Sequence, residues 1–213
     1  MTPVFLSLGL TPNQVTLLGL AAGLFSALWF VRGEPTGWLI GALLFEMAYL
    51  LDNCDGEIAR ITGRSSGLGS WLDTVTDCLI HVGFFLGLGV GLSRSTANNL
   101  WLKLGLIATV GVFMTYAAFI TEQVLKRGKE AWVHPDPPTG QGSSGFWGQL
   151  RKIFREDFSL IVIGSVLVHQ MTWLLWGGIL GSFYFCFSSL IAIVLHRFRP
   201  VAGCGRDASE VES

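Results

Sequence analysis

Four aspartates in two closely spaced pairs are the residues of this sequence best suited to chemistry. Asp52 and Asp55 are three residues apart and Asp73 and Asp77 are four apart, so each pair shares one face of a helix. Carboxylates gathered in a low-dielectric pocket repel one another unless a cation lies between them. Oxygen ligands without a His or Cys partner favour Mg²⁺, Mn²⁺ or Ca²⁺ over zinc. Two such ions suit displacement at phosphorus, because they can hold both the attacked group and the leaving oxygen.

The residues around the aspartates are suited to a substrate that carries phosphate. Gly56 removes a side chain beside Asp55, where a ligand must come close. Arg60 lies at the same end of the predicted helix and offers a guanidinium to phosphate. Ser66 and the nearby glycines make the link between the pairs, residues 61–68, conformationally permissive.

The elements that must position these residues are membrane helices. Only 14% of residues are charged, against about 25% in a soluble domain, and the net charge of −1 offers no surface for nucleic acid. Four scattered cysteines form no CxxC pair. Six apolar stretches reach or approach the length that crosses a bilayer, near 14–32, 36–60, 69–92, 100–124, 157–173 and 175–197. The sequence predicts an all-α integral membrane domain of six transmembrane helices over 1–200 and a polar tail over 201–213.

Basic residues predict how the chain crosses the membrane. With the N-terminus in the cytoplasm, the 14 Lys and Arg divide into eleven inside and three outside. Both termini are therefore predicted to be cytoplasmic, with the aspartate pairs brought to one depth at that face by an antiparallel hairpin. Short loops are predicted at 33–35, 93–99 and 174–178, and a long cytoplasmic loop rich in Gly, Pro and Ser at 126–156.

A stripe of small residues in the third predicted span indicates close helix packing. Gly83, Gly87 and Gly91 recur every four residues, which lets another helix approach. That helix belongs either to the same chain or to the second copy of a homodimer.

Residues 52–77 read D-x2-D-G-x2-A-R-x8-G-x3-D-x3-D, which resembles the signature of the CDP-alcohol phosphotransferase family. The match holds at every defining position: Asp52, Asp55, Gly56, Ala59, Arg60, Gly69, Asp73 and Asp77. Residues 11–16 are similar to the family's nucleotide-contacting start. The run 51–60 looks closest to the di-myo-inositol-phosphate-phosphate synthase branch, although Asn53 stands where that branch is expected to have Gly. The family usually has an amphipathic helix before the segment that corresponds to residues 11–16. Because only residues 1–10 precede that segment here, either the helix is short or the chain is a fragment.

The resemblance implies a membrane-embedded, homodimeric enzyme of phospholipid or inositol-phosphate-type biosynthesis, with its site facing the cytoplasm from the inner or plasma membrane. Asp52, Asp55 and Asp73 would ligate two ions, Mg²⁺ or Mn²⁺, and Asp77 would ligate metal and act as general base. An acceptor hydroxyl would attack the phosphorus of CDP-diacylglycerol or another CDP-alcohol and expel CMP. The residues implied to hold the CDP group are Asn13, Thr16, Gly56, Arg60 and Ser66.

Basic residues near the later spans raise the hypothesis of a phosphorylated acceptor, such as inositol phosphate or glycerol phosphate. Lys152 and Arg155 enter the fifth predicted span, and Arg197 closes the sixth. The positive-inside rule accounts for the same cations without any acceptor. His81, one turn beyond Asp77, either touches the site or packs in the core.

Three other functions compete with the phosphotransferase. A cation-coupled transporter also uses intramembrane carboxylates, but six short spans without a broken helix pair argue against it. A prenyl-transfer enzyme holds Mg²⁺ on aspartates, but with longer chains and more spans. A non-catalytic scaffold predicts that metal does not change thermal stability.

Overall fold

The computed structural model describes residues 1–64, 66–127 and 158–197, and these ranges are helical apart from short connections. The helices are α1 (Thr2–Ser7), α2 (Pro12–Phe30), α3 (Pro35–Thr62), α4 (Gly67–Thr96), α5 (Leu100–Arg127), α6 (Phe158–Leu167) and α7 (Met171–Arg197). The segments long and apolar enough to cross a membrane are Pro12–Phe30, Gly67–Thr96, Leu100–Thr121 and Met171–Ser188. For the described residues, the predicted all-helical architecture with membrane-spanning helices is therefore confirmed, while the count of six spans and the side of each terminus stay predictions.

Local sequence signals set the helix boundaries on both sides of the aspartate pairs. Helix α3 ends at Gly63, whose φ of 63° is the left-handed conformation that glycine adopts without strain. The amide of Arg64 donates to the carbonyl of Ala59 at 3.0 Å, which closes the helix end. Helix α4 then begins after Ser66, whose Oγ accepts from the amide of Gly69 at 3.0 Å. The short link therefore connects α3 to α4 directly, and along their length both helices pack against α2.

The glycine stripe of α4 packs within the chain, against α2. A Cβ on Gly87 would lie 2.5 Å from the carbonyl oxygen of Ala27, and one on Gly91 would lie 2.1 Å from that of Phe30. Only glycine permits this backbone approach. Of the two alternatives for the stripe, intramolecular packing is the one found.

The apolar residues divide between a packed interior and an outer surface. Phe30, Phe84, Leu88 and Leu175 are fully buried in one apolar core, to which α2, α4 and α7 contribute. Many large apolar side chains point outward, as expected for helices that face lipid; they include Leu17, Phe25, Leu28, Phe113, Leu180 and Phe183.

The turn predicted at 174–178 is wrong. Helix α7 continues through Gly177 and Gly178, and the break lies at 168–170, so the preceding helix ends at Leu167 instead of residue 173. The break is a helix end in which His169 takes a φ of 57° and the amide of Gln170 donates to the carbonyl of Ser165 at 2.9 Å. Gly178 serves packing, since a Cβ there would lie 2.1 Å from the ring of Phe85.

Candidate metal centre

Three of the four aspartates converge where the end of α3 meets the start of α4. Asp52, Asp55 and Asp73 each offer one carboxylate oxygen, and these oxygens all lie within 4.8 Å of one another. Asp52 and Asp73 are within hydrogen-bonding reach of each other across the two helices. Asp55 is buried, with 6% of its surface exposed, and the other two are half-buried. The predicted juxtaposition of the two helix faces is present in the structure.

No ion pair with a described side chain offsets the negative charge of this cluster. Among the side chains that the structure describes, no lysine or arginine forms an ion pair with Asp52, Asp55 or Asp73, and the ion pair found there joins Arg32 and Glu34 at 4.0 Å. Three carboxylates this close need a cation or protons between them. Their oxygens are the ligand type that Mg²⁺, Mn²⁺ and Ca²⁺ prefer. The cluster therefore fits a divalent cation.

The fourth aspartate lies one turn further along α4. Asp77 is close enough to Asp52 for their charges to interact. Its backbone carbonyl accepts from Nδ1 of His81 at 2.8 Å, and the hydroxyl of Tyr116 lies 3.4 Å from the same nitrogen. The His81 ring packs with its centroid 5.9 Å from that of Phe45. His81 thus contacts the backbone beside the cluster and also packs in the aromatic core.

Residues from α2 and α4 adjoin one another at the first turn of α4. A Cβ on Gly69 would lie 3.5 Å from Oδ1 of Asn13 and 3.2 Å from Oγ of Ser66. The amides at the start of a helix attract phosphate, because they point outward and carry the positive end of the helix dipole. Asn13 and Ser66, both exposed, flank this helix start.

The guanidinium of Arg60 lies beside Gly56. A Cβ on Gly56 would be 3.6 Å from Nη1 of Arg60, an ordinary contact distance, and no other atom would lie within 4 Å. Glycine is therefore not required there by internal packing, and the space above it adjoins the buried Asp55. Arg60 is exposed at the end of α3.

Thr16 occupies a different environment from its neighbour Asn13. Its side chain is buried, with 6% of its surface exposed, and its hydroxyl donates to Oδ2 of Asp55. The same hydroxyl lies 3.1 Å from the carbonyl oxygen of Pro12. Because Thr16 and Asp55 are 39 residues apart, this contact depends on the packing of α2 against α3.

The predicted acceptor-binding residues are not placed by the structure. Lys152 and Arg155 lie outside the described residues. Arg197 is the last residue of α7, and its side chain also falls outside what is described.

The profile of the CDP-alcohol phosphatidyltransferase family matches residues 9–184. The chain belongs to this family. The match spans the aspartate pairs, Asn13 and most of the helical domain, and it confirms the family that the signature over 52–77 predicts. It gives no support to the transporter interpretation.

Several curated proteins are similar to this chain over part of their length. A bifunctional IPC transferase and DIPP synthase of Aquifex aeolicus is 35% identical over 102 residues, which cover 48% of this chain and 23% of that protein. The archaetidylinositol phosphate synthase of Pyrococcus horikoshii is 32% identical over 85 residues, covering 40% of this chain and 44% of that protein. The phosphatidylinositol phosphate synthase of Mycolicibacterium smegmatis is 32% identical over 117 residues, covering 55% of this chain and 47% of that protein. The aligned regions thus span less than half of each of these relatives.

A solved structure shares the fold. The crystal structure of the Mycobacterium tuberculosis phosphatidylinositol phosphate synthase in complex with manganese and citrate superposes with a TM-score of 0.64. The alignment covers 97% of this chain and 91% of that one, at 23% identity. This similarity establishes a common helical architecture.

Proposed function

We propose that this protein catalyses the divalent-cation-dependent transfer of a phosphoalcohol group from a CDP-linked donor to an acceptor alcohol, with release of CMP. The observation that carries the proposal is the convergence of Asp52, Asp55 and Asp73 within 4.8 Å, in a chain of the CDP-alcohol phosphatidyltransferase family. Its fold relative from Mycobacterium tuberculosis was crystallised in complex with manganese, which supports the use of a divalent cation.

The acidic residues would hold Mg²⁺ or Mn²⁺. Asp52, Asp55 and Asp73 are the proposed ligands, joined by Asp77, and four carboxylates carry enough charge for two divalent ions. When bound, the ions supply positive charge against the oxygens of the transferring phosphoryl group.

The remaining site residues would bind the donor and orient it. The N-terminus of α4, flanked by Asn13 and Ser66, is suited to the phosphates and the nucleotide of the CDP group. Arg60 would pair with the diphosphate, and Gly56 would leave room for it beside Asp55.

The proposed reaction is a displacement at the phosphorus that bears the donor alcohol. The acceptor hydroxyl loses its proton to the carboxylate of Asp77, and its oxygen forms a new bond to that phosphorus. The bond from the same phosphorus to the CMP oxygen breaks, and CMP leaves with the electron pair. Arg60 stabilises the charge that develops on the phosphate oxygens.

We further propose a phosphorylated polyol of the inositol phosphate type as the acceptor. The names of the relatives from Pyrococcus and Mycolicibacterium refer to inositol phosphate products. Another relative, of Rattus norvegicus, is named cholinephosphotransferase 1, so a free alcohol acceptor is the alternative to be tested. The proposed contacts to an acceptor phosphate are Lys152, Arg155 and Arg197. Arg155→Ala should raise the acceptor KM far more than the donor KM. Equal effects on the two KM values would contradict this assignment.

The proposed orientation places both termini and the aspartate cluster at the cytoplasmic face of the cell membrane, with two chains in a homodimer. The excess of Lys and Arg on one set of connections supports this side. Single cysteines introduced at position 34 or 64, in a chain whose own four cysteines are replaced, test this orientation: only the cysteine at position 64 should be reached by a membrane-impermeant reagent from the cytoplasm.

The test of function is CMP release by the purified protein. A panel of CDP-linked donors, including CDP-diacylglycerol, is incubated with phosphorylated and free polyols in Mg²⁺ or Mn²⁺, and the products are identified by mass. Wild type should release CMP only in the presence of an acceptor and a divalent ion, and Asp77→Asn should be inactive while keeping its fold. Glu34→Gln, which makes the same chemical change at an exposed site, is the matched control. Full activity of Asp77→Asn would exclude the proposed base.

A further inference from the structure

We propose that Thr16 is a positioning residue that orients the carboxylate of Asp55 for cation binding, and that it does not contact the nucleotide. The inference rests on the proposed function, in which Asp55 holds a divalent ion. It reassigns a residue that the family resemblance places in the nucleotide site, and it adds a supporting contact from α2 to a cluster built by α3 and α4.

Burial separates Thr16 from the surface that a nucleotide could reach. Val15 and Thr16 are both buried, with 0% and 6% of their surfaces exposed, and Thr16 contacts Asp55 of α3. Asn13, one turn earlier on the same helix, is exposed and lies beside the first turn of α4. A ligand above the cluster can therefore meet Asn13 but not the hydroxyl of Thr16.

The hydroxyl of Thr16 is already committed to a protein acceptor. It donates to Oδ2 of Asp55, and the carbonyl of Pro12 lies within reach at 3.1 Å. A hydroxyl has one proton to donate, and a carboxylate is a stronger acceptor than a backbone carbonyl. The bond to Asp55 is therefore the dominant one.

This bond has a direct consequence for the cation site. Asp55 is as buried as Thr16, so its carboxylate rotates only within the space that its neighbours allow. The bond at Oδ2 restricts that rotation, so the carboxylate keeps the orientation in which it offers an oxygen to the cluster with Asp52 and Asp73. Hydrogen bonds to ligating carboxylates commonly change metal affinity or activity by about 10- to 100-fold when they are removed.

The experiment compares Mn²⁺ affinity with donor KM in the full-length, detergent-solubilised protein. Mn²⁺ binding is followed by electron paramagnetic resonance without nucleotide, and donor KM is measured at saturating Mn²⁺. Thr16→Val removes the hydroxyl at nearly constant volume; it should weaken Mn²⁺ binding about 10- to 100-fold and leave donor KM unchanged. Thr16→Ser keeps the hydroxyl and should bind Mn²⁺ like wild type. Asn13→Ala should show the opposite pattern, a raised donor KM with unchanged Mn²⁺ affinity.

The outcomes separate this proposal from the proposed reaction. Wild-type Mn²⁺ affinity in Thr16→Val together with a raised donor KM would overturn the positioning role and return Thr16 to the nucleotide site. A weakened Mn²⁺ affinity in Thr16→Val would support the role even if wild type released no CMP from any donor, since the binding assay does not depend on turnover. Thr16→Ala, judged by the same two measurements, replaces Thr16→Val if valine prevents folding.

Discussion

Removing one charge from the aspartate cluster should have opposite effects on stability with and without metal. The three carboxylate oxygens lie within 4.8 Å of one another, and two unit charges at that distance repel by about 3.5 kcal/mol at an effective dielectric of about 20. Asp52→Asn removes two of the three repulsions, which sets a ceiling of about 7 kcal/mol. Because Asp52 is only half-buried and water screens it, we expect a gain of about 2 kcal/mol in chelator.

The assay is thermal unfolding in detergent, with EDTA or with Mn²⁺. A gain of about 2 kcal/mol corresponds to a rise of about 4–8 °C in Tm for a chain of this size. In EDTA, Asp52→Asn should therefore unfold at a higher temperature than wild type. In Mn²⁺, the unfolding temperature of wild type should rise and that of Asp52→Asn should not, so that wild type becomes the more stable of the two. Glu34→Gln, remote from the cluster, should follow wild type in both conditions. A variant that is less stable than wild type in EDTA would refute the electrostatic reasoning.

Two further predictions concern the packing and capping of α4. Gly91→Ala should lower the free energy of unfolding by about 1–3 kcal/mol in the same thermal assay, because its Cβ would lie 2.1 Å from the carbonyl oxygen of Phe30. Gly164→Ala is the control, since no atom would lie within 4 Å of its Cβ. It should be neutral or stabilising by up to about 1 kcal/mol. Ser66→Ala should lower the free energy of unfolding by about 1 kcal/mol, because it removes the cap of α4. Ser66→Asp should keep the cap but raise the donor KM, because it places a negative charge where the diphosphate is proposed to bind. Equal donor KM values in the two variants would contradict that placement.

The parts of the fold that the sequence predicts are those with local signals. The proline at position 12 and the serine at 66 mark helix starts, and Gly63 marks a helix end, so the junction that carries the aspartates could be anticipated. The pairs at three- and four-residue spacing also fix which helix faces the carboxylates occupy. For this reason the convergence of Asp52, Asp55 and Asp73 follows from the sequence.

The parts that the sequence does not predict depend on contacts between distant residues. Gly177 and Gly178 have the composition of a turn, but the aromatic ring of Phe85 requires Gly178 inside a continuous helix. The real break uses His169 in a left-handed conformation, which no local signal favours strongly. The bond from Thr16 to Asp55 is of the same kind. The available hint to this bond was that Thr16 is a polar residue next to the apolar Val15 in a helix that packs against other helices.

The most direct test of the cation site is an anomalous difference map from crystals of this protein grown with Mn²⁺. The account predicts a peak at the junction of α3 and α4, with carboxylate oxygens of Asp52, Asp55 and Asp73 about 2.0–2.6 Å from it. Peaks found only at other acidic residues, or a junction whose carboxylates face an arginine or lysine with no ion between them, would contradict it.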